Sequence, residues 1–183
     1  MKRVVVTGMG VVSAVGNNFD DFWASIAAGT NGIDYITRFD TTDFRTKMGG
    51  EVRGFEAESY MDKKDAKRLP LFIQFALASA MMAHKDSGLN LELIDPYRIG
   101  VGVGSGIGGI CVMEENARLL MEKGPKRVSP FFVPFEIINM ASGRISMKLG
   151  AKGPNYASVT ACATSNNAIG EAFRIVQRGD ADV

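Results

Sequence analysis

The hydrophobic positions of this chain alternate between short β-branched runs and longer segments with helical spacing. Three short runs predict strands, at residues 2–7, 98–104 and 155–160. Helical segments lie between them and after the last one. This order is typical of a mainly parallel sheet covered by helices, so we predict an α/β fold.

Turn and capping residues bound the helical segments. Six helices are predicted, over residues 18–28, 59–68, 71–87, 110–122, 135–148 and 162–178. The third helix is apolar almost all round, which indicates burial on several sides. The first and last helices each have one apolar face, and we expect both faces to be buried. These faces consist of Phe19, Phe22, Trp23, Ile26, Ala168, Ile169, Ala172, Phe173 and Val176.

Composition excludes several classes of function. The 183 residues, 46% of them hydrophobic, suit one globular domain. A net charge of +1 provides no overall basic field for nucleic acid. Two cysteines and one histidine form neither a disulfide framework nor a zinc pattern, so we expect no metal, no cofactor and a cytoplasmic location.

The two ends of the sequence bear on location and completeness. Lys2 and Arg3 precede an apolar run, but Thr7, Gly8 and Ser13 interrupt it, so we expect no signal peptide. No apolar run reaches the length of a membrane span. Residues 180–183 resemble the beginning of another strand. We therefore expect the chain to be a fragment of a longer protein.

A glycine-rich run, GSGIGG at residues 104–109, follows the second predicted strand and precedes a helix. It matches the spacing of a dinucleotide-binding loop. Such a site also needs a second strand that ends in an acidic residue, whereas Glu122 lies at the end of a helix. Close backbone packing is therefore the favoured interpretation, and nucleotide binding remains a weaker alternative.

Basic residues cluster in two places. The clusters are Lys63, Lys64, Lys67 and Arg68 in one predicted helix, and Lys123, Lys126 and Arg127 farther along the chain. Their spacing gathers the first four on one side of the helix. A solvated helix face is the simpler interpretation. Docking of an acidic partner is the functional alternative, since surface charges of this kind raise association rates.

Cys162 lies where a strand is predicted to turn sharply into a helix, within SVTACATSNNAIG. A residue at such a turn can have a strained backbone and a side chain exposed at the edge of a sheet, as in nucleophile elbows. The positive end of the helix favours a thiolate, and the small neighbours Ala161 and Ala163 leave room for a substrate carbonyl. The backbone N–H of Cys162 could face a developing oxyanion. A buried structural cysteine is the alternative.

Cys111 and His84 are weaker candidates for chemistry. Cys111 has Glu114 and Glu115 close by in the sequence, which disfavours a thiolate, so we interpret it as a small core residue. His84 lies near the end of a helix, where it complements the helix dipole.

Several motifs occur in one order along the whole chain. They are VVVTGMGVVSAVG, GSGIGG, SPFFVPFEIINMASG, LGAKGPN, VTACATSNNAIG and RGDADV. Together they resemble the β-ketoacyl-acyl-carrier-protein synthases, the condensing enzymes of bacterial fatty acid synthesis, and among these the type II elongation enzymes. The resemblance implies a thiolase-like layered fold, of which these residues would form the N-terminal half.

The resemblance also implies a reaction and its partners. Cys162 would take an acyl group from acyl carrier protein. A carbanion made by decarboxylation of malonyl-acyl carrier protein would then attack it. Ile107 matches an acyl-pocket residue, and Phe132 falls in the SPFF segment, which in the family helps to form the homodimer and the partner's pocket. The basic residues Lys63, Lys64, Lys67, Arg68, Lys126 and Arg127 match the region where the acidic carrier protein docks.

Two departures from the family pattern matter. The two catalytic histidines of the family lie well beyond the cysteine, so we expect these 183 residues alone to be inactive. Asn167 stands five residues after the cysteine, where many members have histidine. The alternatives are a type I or polyketide ketosynthase, or a non-catalytic subunit that binds the carrier.

Overall fold

The computed structural model describes residues 2–183. In chain order the main elements are α1 (Phe19–Ala27), β1 (Asp34–Tyr35), β2 (Met48–Gly49), α2 (Lys63–Arg68), α3 (Leu71–Ser87), β3 (Val101–Gly104), α4 (Ile110–Lys123), α5 (Phe132–Glu136), α6 (Met140–Leu149), β4 (Asn155–Ser158) and α7 (Thr164–Arg178). Single 3₁₀ turns lie at Ala57–Ser59, Leu91–Leu93, Pro96–Arg98, Pro125–Arg127 and Ala161–Ala163.

The centre of the fold is the parallel pair β3–β4, in which Val101 lies opposite Asn155 and Gly104 opposite Ser158. Alternate residues of a strand point to opposite faces. The valines of β3 therefore face α3 and α6, and Val101 joins the buried core there. The predicted parallel α/β arrangement is confirmed.

The glycines of β3 allow α7 to approach the other face closely. A Cβ on Gly102 would lie 2.3 Å from the Tyr156 ring, and one on Gly104 would lie 2.7 Å from Thr164 Cγ2. The Tyr156 hydroxyl donates to the Ala168 carbonyl at 2.8 Å, which joins β4 to α7. Burial, and after it the nearby Glu171 carboxylate, raise the pKa of Tyr156, so the hydroxyl stays a donor.

Helix α3 supplies much of the core, as its apolar sequence predicted. Ile73 and Leu77 are buried against Ile145 of α6. The helix begins after Pro70 and ends at Gly88, whose φ of 64° is left-handed. These bounds agree with the sequence prediction.

The prediction of a strand at residues 2–7 is wrong for this structure. Val5 and Val6 are 59% and 82% exposed, and no strand between residues 2 and 183 pairs with them. The residues that follow this segment pack on α3. A Cβ on Gly8 would lie 2.2 Å from the Ala83 carbonyl oxygen. The preference of β-branched residues for strands reflects packing against cross-strand neighbours and burial, and the exposed Val5 and Val6 have neither.

One predicted helix is divided, and another begins later than predicted. The helix expected over 135–148 breaks between α5 and α6, where Ile137 is extended and the Glu136 carbonyl accepts from Gly109 N at 2.9 Å. The glycine loop thus donates to a carbonyl that would accept a hydrogen bond within the helix if the helix were continuous. The helix expected over 59–68 begins only at Lys63, after the Asp62 side chain caps it by accepting from Asp65 N.

The apolar faces of the first and last helices were expected to be buried, and they are largely exposed. Trp23 and Ile26 of α1 are 60% and 51% exposed. On α7, Ile169 is 68% exposed, and only Thr164 and Ala168 are buried. Amphipathic spacing predicted the faces correctly, but nothing in the described part of the chain covers them.

The last residues lie against the beginning of β3. Val183 N donates to the Arg98 carbonyl at 3.3 Å, and Gly100 N donates to the Val183 carbonyl at 2.7 Å. This pair of bonds is that of neighbouring parallel strands. The Asp182 carboxylate bonds Arg98 and Lys2. The pKa of Asp182 lies well below its usual range, chiefly because of the hydrogen bond from Arg98 and then because of the one from Lys2.

Candidate functional site

Two strand-to-helix turns meet at the carboxyl edge of the β3–β4 pair. The glycine loop, residues 104–109, joins β3 to α4, and the cysteine turn, residues 159–163, joins β4 to α7. Ser105 N donates to the Ser158 carbonyl at 3.3 Å, so the two turns begin side by side. Ligand sites in parallel sheets commonly occupy this edge.

The cysteine turn holds a strained residue. Ala161 has φ 49°, the only positive φ of a non-glycine residue between residues 2 and 183. For a residue with a Cβ, this conformation costs about 1–3 kcal/mol. We expected strain in this turn and placed it at Cys162, but it lies one residue earlier. Strain of this kind clusters at functional sites.

Three hydrogen bonds at Thr160 hold the turn. Thr160 N donates to Thr164 Oγ1 at 2.8 Å, and Ala163 N donates to the Thr160 carbonyl at 3.1 Å. Asn167 Nδ2 donates to Thr160 Oγ1. The sequence patterns did not indicate Thr160 or Thr164, and Asn167 stood out only as a departure from the family. Their residue types were the available signal, because Ser, Thr and Asn side chains bond backbone groups near helix starts.

Cys162 is exposed and its thiol is free. Cys111 is exposed as well, so its interpretation as a small core residue is wrong. Within the described residues, nothing accepts a hydrogen bond from the Cys162 backbone N–H. The side chain lies just before the first turn of α7, a helix of 15 residues whose N-terminus carries partial positive charge. A thiol beside an available N–H donor suits attack on a carbonyl, since the donor can bind the developing oxyanion.

The glycine loop is closed by the protein itself. Gly108 N donates to Ser105 Oγ at 3.1 Å, and Gly109 N donates to the Glu136 carbonyl at 2.9 Å. A Cβ on Gly109 would lie 2.1 Å from the Phe135 carbonyl oxygen. Because these N–H groups are already bonded, they cannot cradle a phosphate. The geometry supports close packing and not nucleotide binding.

The two predicted pocket residues lie on elements beside this edge. Ile107 is in the glycine loop and is 63% exposed. Phe132 begins α5, which contacts the loop through Gly109 and Glu136. The structure therefore places the elements that carry Cys162, Ile107 and Phe132 at one end of the β3–β4 pair.

The basic residues are on the surface. Lys63, Lys64, Lys67 and Arg68 are exposed on α2, and Lys126 and Arg127 are exposed on the 3₁₀ turn after α4. The Arg68 guanidinium lies 4.8 Å from the centroid of the Phe131 ring, so it joins α2 to the segment before α5. Arg68 and Ser129 also line one cavity of about 290 Å³.

Neither a metal site nor a membrane span is found in the part of the chain that the structure describes. Residues 2–183 contain no group of three or more His, Cys, Asp or Glu side chains placed to hold a metal ion. None of the helices in this range is long and apolar enough to cross a bilayer.

Fold and site together define a layered α/β protein that presents a cysteine at a strained strand-to-helix turn. Residues 1–183 match the family model described as "Beta-ketoacyl synthase, N-terminal domain". The chain therefore belongs to the β-ketoacyl synthase family, and the resemblance noted in the sequence is confirmed.

Curated relatives and solved structures agree with this assignment. The chain is 53% identical over 181 residues to 3-oxoacyl-[acyl-carrier-protein] synthase 2 of Staphylococcus aureus (strain COL), and 50% identical over 181 residues to the synthase of the same name from Vibrio cholerae. Each match covers 99% of this chain and 44% of the relative. A β-ketoacyl synthase structure from Burkholderia phymatum STM815 has TM-score 0.85 and 26% identity, over 99% of this chain and 45% of that one. The thiolase-like layered fold is thereby confirmed.

Proposed function

We propose that this chain, within the full-length protein, carries the nucleophile of a 3-oxoacyl-acyl-carrier-protein synthase. The observation that supports the proposal best is the exposed Cys162 thiol, held after a strained Ala161 and beside its own unbonded backbone N–H. The names of the curated relatives supply the substrate class.

In the first half-reaction, the Cys162 thiolate attacks the thioester carbonyl of an acyl carrier protein. A new C–S bond forms, and the carbonyl electrons move to an oxyanion that the Cys162 N–H stabilises. The oxyanion then collapses and expels the thiolate of the carrier's prosthetic group, which takes up a proton. The acyl group remains on Cys162 as a thioester.

In the second half-reaction, malonyl-carrier protein loses carbon dioxide and its carbanion attacks the acyl-enzyme. The Cys162 thiolate leaves, and the product is a 3-oxoacyl-carrier protein two carbons longer. The groups that drive decarboxylation are expected outside these residues, since the one histidine, His84, lies at the end of α3. The 183 residues alone are therefore proposed to be inactive in condensation.

The partners are an acyl- or malonyl-loaded carrier protein and a second copy of the chain, in the cytoplasm. The exposed basic residues of α2 and of the turn at 125–127 supply charges for an acidic carrier. Ile107 and Phe132 are proposed to line the acyl pocket. Residues 1–183 are proposed to be the incomplete N-terminal domain.

Acyl transfer is tested directly on the full-length protein. We expect incubation with a fatty acyl-carrier protein to add one acyl mass, which peptide mapping places on Cys162. Cys162→Ala should abolish the adduct, whereas Cys111→Ala, at the other exposed cysteine, should retain it. A protein that binds the carrier without becoming acylated would instead be a non-catalytic subunit.

A further inference from the structure

We propose that Thr164 and Asn167 are positioning residues for Cys162, which act by clamping the Thr160 side chain and backbone from the first turns of α7. The proposal rests on the proposed function, because it concerns how the same cysteine is held. We call Thr160, Thr164 and Asn167 the clamp.

Each end of Thr160 is held by a different residue of α7. Its backbone N–H donates to Thr164 Oγ1 at 2.8 Å, and its hydroxyl accepts from Asn167 Nδ2. The two bonds fix both the backbone and the side chain of the residue before Ala161. A single bond would leave Thr160 free to rotate about it.

Thr164 is itself held firmly, so it can serve as an anchor. The residue is only 5% exposed, although the turn before it lies in solvent. A Cβ added to Gly104 would lie only 2.7 Å from Thr164 Cγ2. The methyl group is thus packed against the end of β3, which leaves the hydroxyl directed at Thr160. The clamp connects the glycine loop to the cysteine turn through this contact.

The turn needs such a clamp because its backbone is unfavourable. Thr160 has φ −145° and ψ 42°, and Ala161 has φ 49°. Conformations of this kind persist only where the surrounding structure over-determines them. Without the clamp, Ala161 would relax to negative φ, and the Cys162 thiol and N–H would both move away from the start of α7.

The clamp also explains the residue type at position 167. An N–H donor at this position can reach Thr160 Oγ1, and the amide of Asn167 supplies one. A histidine ring carries an N–H donor as well. We infer that Asn and His are equivalent here as donors to Thr160, whereas Leu is similar to Asn in size but has no donor.

Three matched pairs of variants in the full-length protein test the clamp. Thr160→Val, Thr164→Val and Asn167→Leu each remove a polar partner, while Thr160→Ser, Thr164→Ser and Asn167→His keep one. The readout is the rate at which the Cys162 thiolate displaces iodide from iodoacetamide, divided by the rate for Cys111 in the same molecule. Exposed Cys111 corrects for general reactivity and global unfolding.

We expect each apolar variant to lower this ratio roughly threefold to tenfold, the range of one net hydrogen bond. Each polar variant should stay within about twofold of the wild type. In turnover assays, kcat should fall while KM for the acyl carrier changes little, since the clamp positions the nucleophile and does not bind the carrier. Asn167→Leu added to Thr160→Val should cause no further loss, because their shared bond is already absent.

Equal ratios for the apolar and polar members of all three pairs would overturn the proposal. So would an additive loss in the Thr160→Val, Asn167→Leu double variant. These outcomes are distinct from failure of the proposed function. A wild-type protein that alkylates at Cys162 but is never acylated there would refute the function and leave the clamp measurable.

Discussion

The glycine loop and the cysteine turn occupy the same edge of one parallel pair, yet they differ in almost every local property. The loop has its left-handed φ at a glycine, Gly108, while the turn has it at Ala161. In the loop, Gly108 and Gly109 N–H groups bond the protein. In the turn, the Cys162 N–H has no acceptor among residues 2–183.

We interpret this difference as one between a loop that serves packing and a turn that is proposed to react. Glycine at the loop removes side chains so that α5 can lie against its backbone. Alanine at the turn keeps a Cβ in a conformation that disfavours it, and surrounding bonds enforce the geometry. The sequence motif that resembles a ligand site is therefore a packing feature, and the proposed chemistry lies in the turn without glycine.

The largest effect is expected from adding a methyl group to the loop. Gly109→Ala would place a Cβ 2.1 Å from the Phe135 carbonyl oxygen, so α5 must move. We expect the free energy of unfolding of the full-length protein to fall by roughly 3 kcal/mol. Denaturant unfolding measures this change.

Gly106→Ala is the matched control in the same loop. No atom lies within 4 Å of a Cβ at Gly106, so we expect less than about 0.5 kcal/mol of change. Equal losses for the two variants would mean that the loop is sensitive as a whole and not through its contact with α5.

In the cysteine turn, we expect a substitution to raise the free energy of unfolding and not to lower it. Ala161→Gly relieves the left-handed strain at φ 49°, and we expect a gain of about 1 kcal/mol in unfolding free energy after the entropy cost of glycine. The same variant should lower the alkylation rate of Cys162, because the turn becomes freer. Ala163, with φ −89°, provides the control.

Ala163→Gly should lose about 0.5–1 kcal/mol, since it adds flexibility and relieves no strain. If Ala161→Gly destabilises as much as Ala163→Gly does, the strain assigned to the turn is not there. Differential scanning calorimetry on both variants decides between these outcomes.

The smallest effect on stability is expected at the amino end of β3. This region lies away from the two turns and serves as a reference for them. Arg98 and then Lys2 lower the pKa of Asp182 relative to the unfolded chain. A lowered pKa stabilises the fold above the unfolded value of about 3.9, and this stabilisation declines as pH falls towards the folded value. The melting temperature of Asp182→Asn should therefore lie below wild type at pH 7, and the gap should narrow below about pH 4.

Alkylation of Cys162 should be unchanged in Asp182→Asn, because the carboxylate lies at the far end of β3. Asp180→Asn, beside it in the sequence, removes only an exposed pair with Arg178 and should change the melting temperature little. A difference in melting temperature between Asp182→Asn and wild type that does not depend on pH would contradict an ionic origin of the effect.

Local signals in the sequence were sufficient to predict an element when its first and last residues are marked and its packing partners lie in the same chain. Helix α3 has Pro70 before it and Gly88 after it, and its core neighbours lie in the same chain. The strand predicted at residues 2–7 failed because pairing is not local. The break at Ile137 was also invisible, since the glycine loop that causes it lies about 30 residues away.

The candidate site was predictable to a similar degree. The position of Cys162 followed from the strand and helix patterns on either side of it. The position of the strain at Ala161 and the bonds to Thr160 could not be predicted, because they depend on φ angles and side-chain directions that no periodicity encodes.

The exposed face of α1 has a spectroscopic consequence. Trp23 is the single tryptophan of the chain and is 60% exposed. Its indole is therefore surrounded largely by water, and the fluorescence of the whole chain reports on one helix face. Any surface that covers α1 would exclude that water and shift the emission to shorter wavelength, so the chain carries an intrinsic optical reporter of the contact that its first helix lacks.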